Sequence, residues 1–287
     1  MGAIFRHELR NYFHSLTAYV FGAFLLAVVG LGSVLYNLQA AVSNFEFVLS
    51  FASIIFVVIV PILTMRTLAE ERRQRTDQLL YSLPITTTQV VLGKYLALLV
   101  VYLIPLAVIS LYPLLFSQFG DVYLPTSYGS LFAFFMMGAA LLAVGMFLSS
   151  LTDNQGFAAG IGIAAILLNY YSVSLAEYTS STAMGSLIAL YVIALLLGVV
   201  IHNLTRNENL AYGVTLVLIA ALSVAYFVNS SAFEGLLPDI MTKLSLFRQF
   251  NSFVNGAFDL TAIVYYVSVM GFFLFLSVQS MEKRRYN

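Results

Sequence analysis

The sequence contains no cysteine and few charged residues, and both shortages restrict what the protein can be. Without cysteine the chain forms no disulfide bond and offers no thiolate ligand to a metal ion. Only 9% of its 287 residues are charged, whereas about a quarter would be charged in an ordinary soluble domain. Because 61% of the residues are hydrophobic, the composition indicates an integral membrane protein. The formal net charge of zero argues against nucleic acid as a partner.

Eight apolar segments are each long enough to cross a lipid bilayer, so the sequence predicts an all-α, polytopic membrane protein. The segments lie at residues 17–37, 47–65, 95–117, 128–150, 156–173, 184–203, 210–228 and 261–281. Residues 3–15 precede the first segment and place apolar side chains opposite charged ones at helical spacing. We therefore expect an N-terminal helix that lies in the membrane interface.

The basic residues are distributed unequally between the two sides of the predicted bundle. If the N-terminus lies in the cytoplasm, eleven of the 13 Lys and Arg residues fall on the cytoplasmic side, and only Lys243 and Arg248 fall outside. Short cytoplasmic loops carry an excess of basic residues. The predicted location is therefore the cytoplasmic (inner) membrane, with both termini in the cytoplasm.

The predicted spans have no acidic or basic residue at their middle, and the one histidine near a span, His202, lies at a cytoplasmic end. Ion-driven transporters usually place ionisable groups at mid-membrane, so ion-coupled transport is disfavoured. A phosphate-binding loop is also missing, because Gly93 and Lys94 are followed by Tyr95. We expect no cofactor in this chain, and any dependence on ATP must come from another chain.

One enzymatic alternative comes from Glu70, Glu71 and Arg75, which match the EExxxR pattern of intramembrane proteases similar to the prenyl-protein endopeptidases. Those enzymes also need histidines on other helices. Around His202, however, glycine replaces the phenylalanine of FxxxH and Arg206 replaces the Asn or Asp of HxxxN. The metal or general-base site of such a protease is thus incomplete.

Residues 65–94 form the only long charged run between apolar segments, with eight charged residues. Three leucines, Leu79, Leu80 and Leu83, follow most of these charges at helical spacing, and Pro84 should end the helix. An apolar stripe too short to span a membrane fits a helix on the membrane surface or in another protein's groove. An ordinary cytoplasmic loop that carries orienting arginines fits the same pattern.

Two further patterns concern the second half of the chain. Between residues 242 and 258, apolar side chains recur every three to four residues, which predicts an amphipathic helix that acts as an external lid through Leu244, Phe247, Phe250 and Val254. LTDNQGFAAG at residues 151–160 and LTRNENLAYG at residues 204–213 match at five positions with an offset of 53. We favour a duplicated helix pair within residues 151–228 over a chance likeness of short polar loops.

The charged run carries a family resemblance. EERRQRTDQLLYSLPITTTQVVLGKYLA resembles the first cytoplasmic loop of type-2 ABC exporter permeases, in which charged residues precede a leucine pair, Leu-Pro and a hydroxyl residue. The loop MFLSSLTDNQ and the C-terminal FNSFVNGAFDLTAIVYYVSVMGFFLFLSVQSMEKRR resemble the permease subunit of the gliding-motility type. The chain departs from the family at Arg75, where glycine is usual, and in the additional helix pair.

The resemblance implies a single permease domain over residues 1–287 that is itself no enzyme, because ATP hydrolysis belongs to separate cytoplasmic ABC ATPase subunits. It further implies pairing with a second permease copy or a homologous permease. Membrane lipid and an extracytoplasmic accessory protein are further candidate partners. The cytoplasmic coupling helix would contact the ATPase through Glu70, Glu71, Arg72, Asp77, Leu79, Leu80, Leu83 and Pro84. A membrane scaffold that transports nothing is the alternative outside this class.

Overall fold

The computed structural model describes residues 1–74, 85–205 and 207–285, and within these ranges the chain forms fourteen α-helices and no strand. This confirms the predicted all-α fold class. In chain order the helices are α1 (Gly2–His14), α2 (Thr17–Ser33), α3 (Phe45–Ser53), α4 (Phe56–Thr64), α5 (Ala69–Gln74), α6 (Thr87–Ile109), α7 (Leu111–Phe116), α8 (Leu124–Ser149), α9 (Gln155–Tyr178), α10 (Ala183–Thr205), α11 (Glu208–Val228), α12 (Leu236–Lys243), α13 (Leu246–Val254) and α14 (Leu260–Arg285).

Six helical stretches of the described chain are long and apolar enough to cross a membrane: Thr17–Gln39, Thr87–Phe116, Leu124–Ser149, Gln155–Tyr178, Glu208–Val228 and Leu260–Lys283. Phe45–Ser53 and Phe56–Gln74 make a seventh span if they count as one, although they bend by 58° at the break between them. The remaining predicted span lies on α10, whose apolar part, Ala183–Val199, is shorter than the other candidates. The fold is therefore that of a polytopic membrane protein with six or seven candidate spans, against eight counted in the sequence.

The chain divides into two compact units, one made of Met1–Tyr170 and Gln249–Asn287 and the other of Tyr171–Arg248. We call them the large unit and the small unit. The large unit contains α1 to α8, the greater part of α9, and α14. The small unit is built around α10 and α11.

Helix α8 lies at the core of the large unit, and most of its residues are buried. It approaches α6 closely at Gly138, where an added Cβ would lie 2.5 Å from the ring of Tyr102. Tyr102 is fully buried and donates a 2.8 Å hydrogen bond to the carbonyl oxygen of Phe134. Small residues thus let aromatic side chains of one helix lie directly against the backbone of another.

Glycines also mark where α4 meets its neighbours. A Cβ added to Gly145 of α8 would overlap the side chain of Thr64, and one added to Gly162 of α9 would lie 2.9 Å from Cβ of Pro61. The small residues at the start of the predicted span 156–173 are expected to let another helix approach closely. The contact of Gly162 with Pro61 is such an approach.

In the small unit, α10 and α11 pack side by side. Tyr191 of α10 and Ser223 of α11 share a 2.7 Å hydrogen bond between their hydroxyl groups. The segment after α11 folds back onto the start of α10, because the amide of Gly235 donates to the carbonyl oxygen of Ser181 at 2.8 Å. Buried Ser186 accepts a 3.4 Å hydrogen bond from the amide of Leu237.

The two copies of the 53-residue repeat begin their helices in the same way. Asn154 accepts a 2.9 Å hydrogen bond from the amide of Gly156 at the start of α9, and Asn207 accepts a 3.2 Å hydrogen bond from the amide of Leu210 at the start of α11. Asparagine is a favoured N-cap in any helix, so this likeness is also what unrelated helices would show. The duplication stays a prediction, as does the single permease domain.

Candidate functional site

A buried lysine joins three helices at one end of the large unit. Lys94 lies two turns into α6, and only 2% of its side chain is exposed. Its ammonium nitrogen is 2.7 Å from a carboxylate oxygen of Glu8 on α1 and 2.7 Å from one of Glu71 on α5. A buried ammonium is tolerated when it is paired and hydrogen-bonded, and here two carboxylates do this. We call Glu8, Glu71 and Lys94 the ionic cluster.

Helix α1 reaches the cluster because it packs closely on α6. A Cβ added to Gly93 would lie 3.1 Å from Cγ2 of Ile4, so glycine at this position lets the two helices approach. The helix spans Gly2–His14, which agrees with the helix predicted at residues 3–15. Its buried face includes Tyr12, one turn beyond Glu8. The N-terminal helix is thus part of the packed large unit.

The chain between α4 and α5 is fastened to the end of α8 by Ser149. The hydroxyl of Ser149 accepts hydrogen bonds from the amides of Leu68 and Ala69 at 3.3 and 3.2 Å, and it donates to the carbonyl oxygen of Met65 at 3.1 Å. The first amides of a helix have no partner within the helix, and a side-chain oxygen commonly satisfies them. In α5 this oxygen comes from a residue about 80 positions away in the sequence.

Three further hydrogen bonds tie this end of the large unit to α14. The guanidinium of Arg72 donates to the hydroxyl of Ser280 at 3.1 Å, and Ser280 donates to the carbonyl oxygen of Ser150 at 3.1 Å. At the start of α6, the hydroxyl of Thr87 donates to a carboxylate oxygen of Glu282 at 3.2 Å. The described part of the charged run is therefore bonded to α1, α6, α8 and α14.

A cavity of about 810 Å³ opens beside the ionic cluster, between α1 and the residues from Arg66 to Gln74. Tyr12 lies against it and is buried. Burial raises the pKa of the Tyr12 hydroxyl well above the ordinary tyrosine value, and the carboxylates of Glu8, Glu70 and Glu71 raise this pKa further, while Arg66 lowers it. The tyrosine thus experiences a predominantly negative field from the groups around the cavity.

The predicted coupling residues divide into two groups. Glu71 belongs to the ionic cluster, Arg72 bonds Ser280, and half-buried Glu70 accepts a 3.3 Å hydrogen bond from the side chain of Gln74. The other predicted coupling residues lie outside the described residues: Asp77, Leu79, Leu80, Leu83 and Pro84. Coupling itself stays a prediction at all of them.

The external-lid residues lie on and beside α13. The predicted single helix at residues 242–258 is instead two helices with a break at Leu244 and Ser245, because buried Ser245 accepts a hydrogen bond from the amide of Arg248 and so caps a new helix. Leu244 is exposed at this break, whereas Phe247 and Phe250 are buried and Val254 is partly exposed. Their role as a lid stays a prediction.

Within the large unit, the end of α13 is held against α8. The ring of Phe250 packs edge-on against Phe134, with ring centres 5.8 Å apart. Buried Ser130 donates a 2.9 Å hydrogen bond to the carbonyl oxygen of Phe253. This part of the predicted lid is therefore a packed piece of the large unit.

One buried carboxyl group was not predicted from the sequence. Glu46, in the first turn of α3, is 1% exposed and accepts a 3.1 Å hydrogen bond from Ser127 at the start of α8. Its other carboxylate oxygen has no hydrogen-bond partner among the described residues. Glu46 directly precedes the apolar segment 47–65 and is therefore not a charge at mid-span. Its position in a first helical turn, where acidic side chains are favoured, was the available signal.

No described part of the chain brings together three His, Asp or Glu side chains that could hold a metal ion. Glu71, which the protease alternative would use near a metal, contacts the ammonium of Lys94. The chemistry of this end is therefore that of an ionic and hydrogen-bonded junction between helices.

The described chain has six or seven helical stretches long and apolar enough to cross a membrane, and it is therefore a multi-pass membrane protein. The family model of the ABC-2 family transporter proteins matches residues 27–176, just over half of the chain. The chain belongs to this ABC-2 family and is a permease component of an ABC transporter. No curated protein and no solved structure matches the chain. The resemblance to type-2 ABC permeases is confirmed at the level of the family.

Proposed function

We propose that this chain is the permease subunit of an ATP-driven exporter or surface machine of the gliding-motility type, and that residues 66–84 transmit the action of a separate cytoplasmic ATPase. The distribution of basic residues supports an inner-membrane location with both termini in the cytoplasm. In this arrangement the permease pairs with a second copy or a homologous permease. Residues 242–258 cover the outer end, where an extracytoplasmic accessory protein would bind.

The observation that carries the proposal is the way in which α5 is bonded to the helices around it. Glu71 is held through Lys94 to α1 and α6, and Arg72 is held through Ser280 to α14. A loop that only carried orienting charge would leave these side chains in water. Here they instead make contacts through which a displacement of α5 would reach three helices.

The ionic cluster makes such a displacement hard to absorb locally. If α5 moved away without its neighbours, Lys94 would lose one of its two carboxylates while remaining buried. Breaking a buried ion pair costs about 3–5 kcal/mol, so the helices are expected to move together. Coupled motion of packed helices between two arrangements is a common form of transmission in proteins.

The leucine stripe supplies the expected contact with the ATPase. Burying a leucine in a partner's groove contributes roughly 1.5–3 kcal/mol when it is fully desolvated, which is an upper range for Leu79, Leu80 and Leu83. The charged residues before the stripe set the orientation and contribute less.

Two variants separate this function from its alternatives, with co-purification of the ATPase and ATP turnover as the measurements. Leu80→Asp should detach or uncouple the ATPase, whereas Glu71→Gln should retain more of the binding. A protease would show the reverse order, because Glu71→Gln would abolish its activity and Leu80→Asp would have a mild effect. In a scaffold without transport, no ATPase activity would respond to either change. A stable Leu80→Asp complex with normal, cargo-responsive turnover would contradict the coupling proposal.

A further inference from the structure

The cavity beside the ionic cluster has an unusual lining for a protein with so few charges. Its charged lining residues include three carboxylates and two permanent cations: Glu8, Glu70, Glu71, Arg66 and Lys94. Exposed polar residues of α1, among them His7, Asn11 and His14, also line the cavity. At about 810 Å³, the cavity has room for a long side chain.

The carboxylates of this lining outnumber the cations that neutralise them. Glu8 and Glu71 both contact the ammonium of Lys94. Glu70 makes its hydrogen bond to the neutral amide of Gln74, and no ion pair joins it to a cation of the described chain. Arg66 is exposed. The half-buried carboxylate of Glu70 therefore adds negative charge to a described lining that holds three carboxylates and two cations.

Tyr12 lies within reach of the same charged groups. Its hydroxyl is buried against the cavity, and this burial is the largest cause that raises its pKa; the three carboxylates raise the pKa further, and Arg66 lowers it. Burial disfavours a charge of either sign, whereas the contribution of the carboxylates disfavours a further negative charge and favours a positive one.

We propose that this cavity receives an arginine or lysine side chain of the ATPase subunit, with Glu70 as its principal contact. The inference rests on the proposed function, because the cavity is lined by the first turns of the segment assigned there to the ATPase. The charge of the cavity determines the chemistry of the occupant. A long cationic side chain can carry its apolar stem past Ile4 and Val90, which also line the cavity, and place its charge beside Glu70.

The first test measures the field without the partner and uses the absence of cysteine from the chain. Asn11→Cys places a thiol at the cavity, and Gln118→Cys, exposed between α7 and α8, is the control. Each purified variant is treated with a trimethylammonium thiosulfonate and with a sulfonate thiosulfonate of similar size. For each variant, the rate of modification by the cationic reagent is divided by the rate of modification by the anionic reagent. We expect this ratio to be about tenfold higher for Asn11→Cys than for Gln118→Cys. Equal ratios at the two positions would overturn the inference.

The second test measures the affinity for the ATPase that co-purifies with the unmodified chain. Glu70→Gln should weaken binding about tenfold and reduce its dependence on salt, and Glu70→Lys should weaken it about a hundredfold. Asp121→Lys is the matched control, because Asp121 is exposed between α7 and α8, and it should bind as the unmodified chain does. Glutamine has the size of glutamate and can still form hydrogen bonds. Glu70→Gln therefore tests the role of the charge even if Glu70→Lys fails to fold.

The outcomes separate the inference from the function on which it rests. If the unmodified chain binds no ATPase, the proposed function fails. If it binds an ATPase and Glu70→Lys binds equally well, the function stands and the inference is overturned. The cavity could instead bind the ammonium of a lipid headgroup. In that case the stability of the chain in nanodiscs would depend on phosphatidylethanolamine, and Glu70→Lys would bind the ATPase with unchanged affinity. This result would also overturn the inference.

Discussion

Replacing Lys94 by methionine tests the ionic cluster directly. Methionine preserves most of the length of the side chain but removes the ammonium group that both carboxylates contact. The side chains of Glu8 and Glu71 are only 13% and 20% exposed, so water cannot fully replace this ammonium. Removing one partner from a buried ion pair costs about 3–5 kcal/mol. We expect Lys94→Met to lose stability by an amount in this range.

The compensating variant separates lost charge from lost packing. If Lys94→Met is combined with Glu8→Gln and Glu71→Gln, no uncompensated carboxylate remains in the cluster. Replacing a whole buried ionic group by neutral residues of similar volume is often neutral or stabilising. The triple variant should therefore recover most of the lost stability. It should also couple the ATPase poorly, since its neutral side chains bind α5 less strongly to α1 and α6.

The unfolding measurement must suit a chain that has neither tryptophan nor cysteine, so dyes that react with thiols and tryptophan emission are both unsuitable. Loss of helical circular dichroism on heating in detergent follows the transition directly. For proteins somewhat smaller than this one, a loss of 1 kcal/mol lowers the melting temperature by roughly 2–4 °C. The melting temperature of Lys94→Met should therefore be about 10 °C lower than that of the unmodified chain. A midpoint equal to that of the unmodified chain, or a triple variant no more stable than Lys94→Met, would refute the reasoning.

Three further predictions concern other parts of the molecule. A membrane-impermeant thiol reagent added from outside should label a cysteine at Ser231 but not one at Asn207, and the reverse pattern would overturn the predicted orientation. Replacing the two buried phenylalanines of the predicted lid, Phe247 and Phe250, by serine should impair transport or partner binding but leave membrane insertion intact. Unchanged activity would mean that the segment is only a passive connection. Gly138→Ala should cost roughly 1–3 kcal/mol of stability, because the new methyl group meets the Tyr102 ring, and an equally stable variant would contradict this packing.

The glycine prediction has a matched control on the same helix. An added Cβ at Gly129 of α8 would have no neighbour within 4 Å. Alanine has a higher helix propensity than glycine, so Gly129→Ala should be neutral or slightly stabilising in the same melting experiment. The difference between the two variants isolates the close approach of α6 at Gly138 from the effect of propensity.

The fold class was predictable because apolar length is a local property of the sequence. Each predicted span coincides with a helix or a helix pair, and α1 begins and ends within one residue of its predicted limits. The break at Ser245 was not predicted, because the apolar periodicity continues across it. What interrupts the helix is the burial of a serine that caps the next one, and burial depends on the tertiary structure.

The ionic cluster could be predicted only in part. The sequence places Glu8, Glu71 and Lys94 on the same side of the predicted bundle, but it does not say that α1 packs against α6. Glu8 and Lys94 are 86 positions apart, and charge sign alone would allow Lys94 many partners. The small size of Gly93, next to Lys94, was the one local sign that another helix approaches there.

The burial of Lys94 also changes the grounds for the predicted orientation. Sequence analysis counts this residue among the eleven basic residues on the cytoplasmic side, yet its ammonium contacts two carboxylates inside the protein and is not available to the membrane surface. Without Lys94, the comparison is ten basic residues against two, Lys243 and Arg248, and both of these are exposed. The asymmetry remains large, so the predicted orientation does not depend on Lys94. The residue instead belongs to the junction through which α5 contacts α1 and α6.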